Sequence, residues 1–313
     1  MKEPLVIVKV GGKIVEEPET LQRLLQDFSN IPGKKILVHG GGRSATAMAA
    51  KLGIESKMVD GRRITDAETL KVVTMVYGGL VNKNIVAGLQ AKGINAIGLT
   101  GADCNVIRSE KRPVKEIDYG FVGDVKAVNA QFLSELLDKD IVPVLAPLTH
   151  DKNGNILNTN ADTIAGETAK ALASMFKVTL IFCFEKPGVL MNPDDDNTVI
   201  PYISYYDFPL LVENGTISGG MIPKIQNAFT ALTAGVASVL ITSALNFGIA
   251  TSITKHKTTA ISTIATKTDI LHNTFLFIIL ITAHPAIIGD FTKSCNVIAT
   301  NIATQNPIGV GPI

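Results

Sequence analysis

The chain has 313 residues, 46% of them hydrophobic and 18% charged, with a net charge of +1. That length and apolar content suffice for one large domain or two medium ones with a sizeable core. The near-neutral balance, without long basic runs, excludes nucleic acid as the main partner, because phosphate-backbone binding needs clustered Lys and Arg.

The opening "MKEPLVIVKVGG" enters a strand over Leu5–Val10 with no apolar leader before it. An amphipathic helix is expected over Thr20–Phe28, a strand over Ile36–His39 and a helix over Ser44–Leu52. One long helical stretch then covers Ala67 to about Lys92. Further strands are read at Ala96–Leu99, Ile141–Ala146, Val178–Phe182 and Ser238–Thr242, and helices at Gln131–Lys139, Ala161–Phe176 and Met221–Ala234. The strands are continuously apolar rather than alternating, as in a parallel sheet covered on both faces. Alternating strands and helices predict an α/β fold. Asp118–Asp124 and Asp151–Gly154 carry turn chemistry and predict hairpins on the rim. The strongest apolar run, Phe275 to Ile281, falls short of the roughly 20 residues that span a bilayer, so no membrane partner is expected. Cys104, Cys183 and Cys295 have neither metal-ligand nor disulfide spacing. Such isolated cysteines fit a reducing, cytoplasmic setting.

Two glycine turns stand where the first two strands end: Gly11-Gly12, and Gly40-Gly41-Gly42 in "KILVHGGGRS". Ligands of open α/β sheets sit at the carboxyl ends of the strands. A strand-to-helix turn explains either pair alone, but three glycines in a row exceed what a turn needs. Bare backbone N–H groups there can face an anion. "GGGRSA", with Asp60 downstream, also fits a loose dinucleotide fingerprint, and a Walker A sequence is absent.

Polar residues near these turns sharpen the choice. Lys9 lies inside the first strand, so it either faces solvent on an edge or is aimed at a negative group, since lysine is seldom buried without a partner; beside Gly11-Gly12 a phosphate is the favoured reading. Arg63 in "DGRRIT" suits bidentate carboxylate recognition, although a lone arginine is more often a surface group, as Arg62 is expected to be. "NTNAD" holds Asn158, Asn160 and Asp162, of which one can cap the next helix and the surplus can hold a polar substrate. Lys224 in "SGGMIPKI" lies in the first turn of a helix, where cations are unfavourable; this points to a nearby anion, or else to a lysine snorkelling to water. Glu185 and the Pro187-Gly188 turn either floor a nucleotide pocket or form a plain strand exit. Asp194–Asp196 reads as a solvated loop, and no metal-ligating residue is assigned. His39 and His150 read as structural.

In this order and spacing, "KVGG", "VHGGG", "GRRIT", "NTNAD" and "GGMIPK" resemble the amino acid kinase family, over about Val6 to Ala244. The resemblance implies a three-layer αβα sandwich around a mainly parallel central sheet. It implies an N-terminal lobe, residues 1–175, for an acylated amino acid and for dimerisation, and a C-terminal lobe, residues 176–248, for ATP with Mg²⁺. The implied reaction is ATP-dependent phosphorylation of the side-chain carboxylate of N-acetyl-L-glutamate to an acyl phosphate, in arginine biosynthesis. Lys9 and Lys224 are then catalytic, with Asp162 holding both. Gly41, Gly42, Arg63 and Asn158 bind the acceptor, Arg63 clamping its α-carboxylate. Gly11 and Gly12 give N–H groups to the phosphates. Glu185, Lys186, Pro187, Gly188, Val189 and Leu190, with Thr216, Ile217 and Ser218, line the nucleotide site. Many relatives carry aspartate where Glu185 stands, which weakens its assignment.

The chain begins directly at its first strand, and by the resemblance this implies a homodimer without strong arginine inhibition. Three alternatives stay open: another acceptor in the same family (an N-succinylglutamate, an amino acid, carbamate or a nucleotide), an amino-acid sensor, or an NAD-dependent oxidoreductase. The last leaves Lys9 and Lys224 unexplained. From Ile249 to Ile313 the composition shifts to Thr and Ile with no arginine, as in translation from a shifted reading frame or in a divergent natural extension. This tail is expected to be poorly ordered, and the C-terminal lobe to lack its last strand.

Overall fold

A computed structural model describes residues 2–59, 62–248 and 262–265. The chain opens with β1 (Pro4–Val10), α1 (Gly12–Glu16), α2 (Pro18–Ser29), β2 (Lys34–His39) and α3 (Gly42–Lys51). A short hairpin, β3 (Met58–Val59) and β4 (Arg62–Arg63), precedes α4 (Ala67–Val73), a π-helical segment (Thr74–Val81) and α5 (Asn82–Gln90). Next come β5 (Ala96–Leu99), β6 (Ile107–Lys111), β7 (Gly123–Val128), α6 (Ala130–Asp138), β8 (Val142–Leu145), β9 (Leu148–His150) and β10 (Ile156–Asn158). The remainder is α7 (Ala161–Leu172), β11 (Lys177–Phe184), β12 (Tyr202–Ser204), α8 (Asp207–Glu213), α9 (Met221–Thr233), β13 (Ser238–Ser243) and β14 (Ser262–Ala265).

Eight strands form the central sheet in the order β12-β14-β13-β11-β1-β2-β8-β5. The six strands from β13 to β5 run parallel. Successive side chains of a strand point to opposite faces, so β1 sorts its residues between two layers. Leu5 and Ile7 pack with Ile164, Ala165 and Leu172 of α7 and Ile225 and Phe229 of α9. Val8 and Val10 pack with Leu24, Leu25 and Phe28 of α2, Ala45 and Ala49 of α3, and Ile85 and Leu89 of α5. Helices therefore cover both faces, and the three-layer expectation is met. Burying each of these large aliphatic side chains stabilises the fold by about 1.5–3 kcal/mol.

The same alternation places Lys9 on the face of Leu5 and Ile7, towards α7 and α9. The strand exits line up at one end of the sheet, because Val10 is level with both His39 of β2 and Cys183 of β11. Both glycine turns thus open on that end.

The expected rim hairpins are present. A second sheet, in the order β10-β9-β6-β7, pairs β6 with β7 and β9 with β10 antiparallel. Asp151 shapes the latter turn by accepting from the backbone N–H groups of Asn153 and Asn155. The long helical stretch is continuous over Ala67–Gln90, but its middle shifts to π-helical hydrogen bonding. It is the one helix among the described residues long and apolar enough to cross a membrane by length and composition. Here Val72, Val73, Val76, Ile85 and Leu89 instead make it part of the core.

The expectation of a missing last strand is corrected. Ser262–Ala265 forms β14, antiparallel to β13 and parallel to β12. Strand pairing draws on backbone N–H and C=O groups, which every sequence carries, so the odd composition did not prevent it. The rest of the tail lies outside the described residues.

Candidate active site

Asn160 and Asp162 divide the two roles the sequence left open. Asn160 caps α7, its Oδ1 accepting from the N–H groups of Asp162 and Thr163 at 2.8 and 3.1 Å. Such a cap contributes about 1 kcal/mol, and it frees the Asp162 carboxylate. Lys9 Nζ approaches Asp162 Oδ1 at 2.7 Å, and Lys224 Nζ, from the first turn of α9, approaches Oδ2 at 3.6 Å. At 2.7 Å the Lys9 contact is a close ion pair. The Asp162 side chain is 9% exposed and that of Lys9 11%, whereas Lys224 is 28% exposed. Burial alone would raise the Asp162 carboxyl; the charges of Lys9 and Lys224 outweigh it and hold the group below the ordinary carboxylate range. Two cations on different elements thus converge on one buried anion.

The glycine turns pack backbone to backbone. A Cβ on Gly12 would lie 3.5 Å from the nitrogens of both Gly41 and Gly42, and one on Gly40 would lie 3.1 Å from the Gly12 nitrogen. Gly11 N–H donates to Cys183 and Gly40 N–H to Val10, each at 2.9 Å. Gly41 and Gly42 open α3, where N–H groups have no partner within their own helix. A Cβ on Gly41 would meet Tyr77 Cδ1 at 2.9 Å, while one on Gly42 would meet nothing within 4 Å. Gly41→Ala is therefore expected to lower stability by about 1–3 kcal/mol through overpacking. Gly42→Ala is expected to melt like wild type, because its methyl group enters open space, and the acceptor role that the resemblance implies for Gly42 predicts a raised acceptor KM. Melting curves and steady-state kinetics on the two variants check this.

Arg63 is buried and Arg62 exposed. The Arg63 guanidinium donates to Ser56 Oγ at 2.7 Å and to the Gly42 carbonyl and Thr46 Oγ1 at 2.8 Å each. It also faces the Tyr77 phenol. Arg63 thus ties the β3–β4 hairpin to the glycine turn. Asn158 joins the same group: its Nδ2 donates to Thr65 Oγ1 at 2.9 Å, and that hydroxyl donates to the Arg63 carbonyl at 3.2 Å.

The third group lies around the exit of β11. Val189 and Ile217 are both buried in one apolar cluster, and Thr216 Oγ1 donates to Met191 Sδ at 3.8 Å. The 185–190 and 216–218 stretches therefore adjoin. Glu185 is exposed and pairs with Arg43 of α3 at 3.5 Å, and Lys186 pairs with Asp196 at 2.9 Å. Among the described residues no three His, Cys, Asp or Glu side chains converge as metal ligands. A separate cleft of about 540 Å³, lined by Arg62, Arg112, Lys115, Tyr119 and Asp124, contains none of the three charged residues.

Sequence reading missed the partners that hold this site: Ser56, Thr46, Tyr77 and Asn82. It read His39 as structural, and the imidazole is indeed fully buried, with its pKa lowered by burial to about 4. The unfolded chain takes up this proton near pH 6.5 and the folded chain only near 4. Stability from this group is thus complete above pH 6.5 and declines as pH falls through that window. A loss of about 2 kcal/mol by pH 5 is expected, and urea unfolding at pH 7.5 and pH 5 measures it.

An αβα sandwich with two lysines bridged by an acid, beside paired glycine turns at the strand exits, has the charge layout of a phosphotransferase. The amino acid kinase family profile matches residues 4–243, and the chain belongs to the amino acid kinase family. It is 71% identical over 257 residues to the acetylglutamate kinase of Phocaeicola vulgatus, covering 82% of this chain and 100% of that one. The acetylglutamate kinase of Bacteroides fragilis is 69% identical, covering 77% and 93%. That of Methanopyrus kandleri is 43% identical, covering 75% and 94%. Among solved structures, smu.665 from Streptococcus mutans superposes with a TM-score of 0.64 at 29% identity, covering 76% of this chain and 94% of that one. Carbamate kinase from Giardia lamblia, at 14% identity and a TM-score of 0.57, covers 84% and 99% and shares the fold.

Proposed function

We propose that this chain transfers the γ-phosphoryl group of ATP to the side-chain carboxylate of N-acetyl-L-glutamate, giving an acyl phosphate for arginine biosynthesis. The observation that carries the reading is the buried Asp162 carboxylate between Lys9 and Lys224. Donor and acceptor are both anionic and repel one another. Phosphoryl transfer asks the protein mainly for alignment and charge neutralisation. Lys9, from the sheet, and Lys224, from α9, are proposed to meet the transferring group from opposite sides. Asp162 keeps both ammonium groups aimed without itself touching the reactants. The N–H groups of Gly41 and Gly42, with that of Gly12, add fixed dipoles that strengthen as charge spreads in the transition state; the Gly11 N–H, expected from the sequence to join them, is instead spent on the Cys183 carbonyl within the sheet.

Arg63 and Asn158, already linked through Thr65, are proposed to hold the acceptor's α-carboxylate and acylamide. An incoming carboxylate shares Arg63 with Gly42 and Thr46, so acceptor binding is coupled to the glycine turn. Residues 185–190 and 216–218 are proposed to line the nucleotide, with Val189 and Ile217 offering backbone only, since their side chains face the core. Mg²⁺ keeps most of its ligands as water and phosphate oxygens, which fits a site whose one buried carboxylate is committed to two lysines; when bound it neutralises phosphate charge. Residues 1–175 then serve as acceptor lobe and 176–248 as nucleotide lobe, in a homodimer that light scattering tests.

Trapping the acyl phosphate with hydroxylamine tests the reading. Turnover is expected with N-acetyl-L-glutamate and to be far weaker with glutamate, aspartate or carbamate. Preference for N-succinyl-L-glutamate would reassign the acyl group. Absence of hydroxamate with every acceptor would refute the proposal.

A further inference from the structure

His39 ends β2 immediately before the glycine turn. Its Nδ1 lies 2.7 Å from the Gly40 carbonyl oxygen, and its Nε2 lies 3.1 Å from Asn82 Nδ2. A carbonyl oxygen has no proton to give, so Nδ1 carries the hydrogen and Nε2 accepts. The Asn82 amide is oriented independently. Its Nδ2 also donates to the Val144 carbonyl at 3.0 Å, and its Oδ1 accepts from Lys83 Nζ at 3.2 Å. Asn82 is 1% exposed and His39 0%, so water cannot replace these bonds. The ring stays neutral at pH 7, since burial holds its pKa near 4.

A trans peptide is planar, and its C=O and N–H point in opposite directions. Anchoring the Gly40 carbonyl on the imidazole therefore fixes the direction of the Gly41 N–H. Three successive glycines need such an anchor, because a chain without Cβ atoms samples more conformations than any other. On the other flank, the Gly41 and Gly42 nitrogens sit against Gly12.

We infer that His39, held in its Nδ1–H form by Asn82, is a positioning residue that turns the Gly40–Gly41 peptide so that the Gly41 N–H faces the transferring phosphoryl group. The inference rests on reading the glycine turns as the phosphate and acceptor site. It gives the histidine of "VHGGG" a task beyond filling the core.

Two measurements test it. Long-range ¹H–¹⁵N spectra of the histidine-labelled wild type are expected to show the His39 ring protonated at Nδ1; protonation at Nε2 would overturn the inference. In kinetics, His39→Gln places its amide near the Nε2 position and is expected to lower kcat about 10²-fold, as loss of an oxyanion donor does, with KM for ATP within about threefold. His39→Asn keeps a donor near the Nδ1 position and is expected to lose about tenfold less. Equal kcat in the two folded variants would also overturn it. If neither variant folds, the wild-type spectrum decides. That spectrum needs no turnover, so failure of the proposed reaction is read separately, from the absence of hydroxamate in the wild type.

Discussion

Lys224→Ala is expected to lower kcat about 10²–10³-fold, by analogy with removal of one oxyanion-stabilising group, while changing stability by less than about 1 kcal/mol. The asymmetry follows from where the lysine stands. Its side chain is 28% exposed and 3.6 Å from Asp162, which keeps Lys9 at 2.7 Å when Lys224 is gone. Little is left unpaired in the folded ground state. The loss falls on the step in which charge spreads over the transferring phosphoryl group. Hydroxamate kinetics with urea unfolding on one preparation separates the two quantities. A variant with near wild-type kcat would remove Lys224 from the chemistry.

Lys9→Ala is expected to fail on both counts. The same 10²–10³-fold loss of kcat is expected, together with about 3–5 kcal/mol of stability, the usual cost of stranding a buried charge. Asp162 would keep only the more distant lysine. Lys9→Met combined with Asp162→Leu is expected to recover much of that stability and none of the activity, since apolar groups of similar size often replace a buried pair without penalty. Recovery of turnover in the double variant would show that the pair serves folding alone. Acid acts on the same pair. The Asp162 carboxyl is lowered in the folded state, so its contribution is complete above the ordinary carboxylate pKa and is lost as pH falls below it.

Much of this arrangement was legible in the sequence, for physical reasons. A lysine in an otherwise apolar strand needs a counter-charge, and Lys9 has one. A lysine in the first turn of a helix needs an anion, and Lys224 faces the same carboxylate. The surplus of polar groups in "NTNAD" resolved as a cap, Asn160, and an ion-pair partner, Asp162. Other features left no local signal. A π-helical register changes hydrogen bonding without changing apolar periodicity, so Thr74–Val81 read as ordinary helix. Taken alone, Arg63 could also have been a surface group, because its partners, Ser56, Thr46 and Gly42, converge only after the hairpin folds back. His39 read only as structural; it is buried, and its hold on the Gly40 carbonyl depends on Asn82, 43 residues away. β14 was hidden because its pairing uses backbone groups, which leave no mark in composition.

The most direct measurement is a crystal structure with MgADP, fluoroaluminate and N-acetyl-L-glutamate, the planar fluoride standing in for the phosphoryl group between donor and acceptor. Lys9 and Lys224 Nζ are expected within hydrogen-bond reach of the fluoride, on opposite sides, with Asp162 still touching both ammonium groups and the Gly41 N–H pointing inwards. A fluoroaluminate bound away from this pair, or either lysine turned from it, would contradict the account.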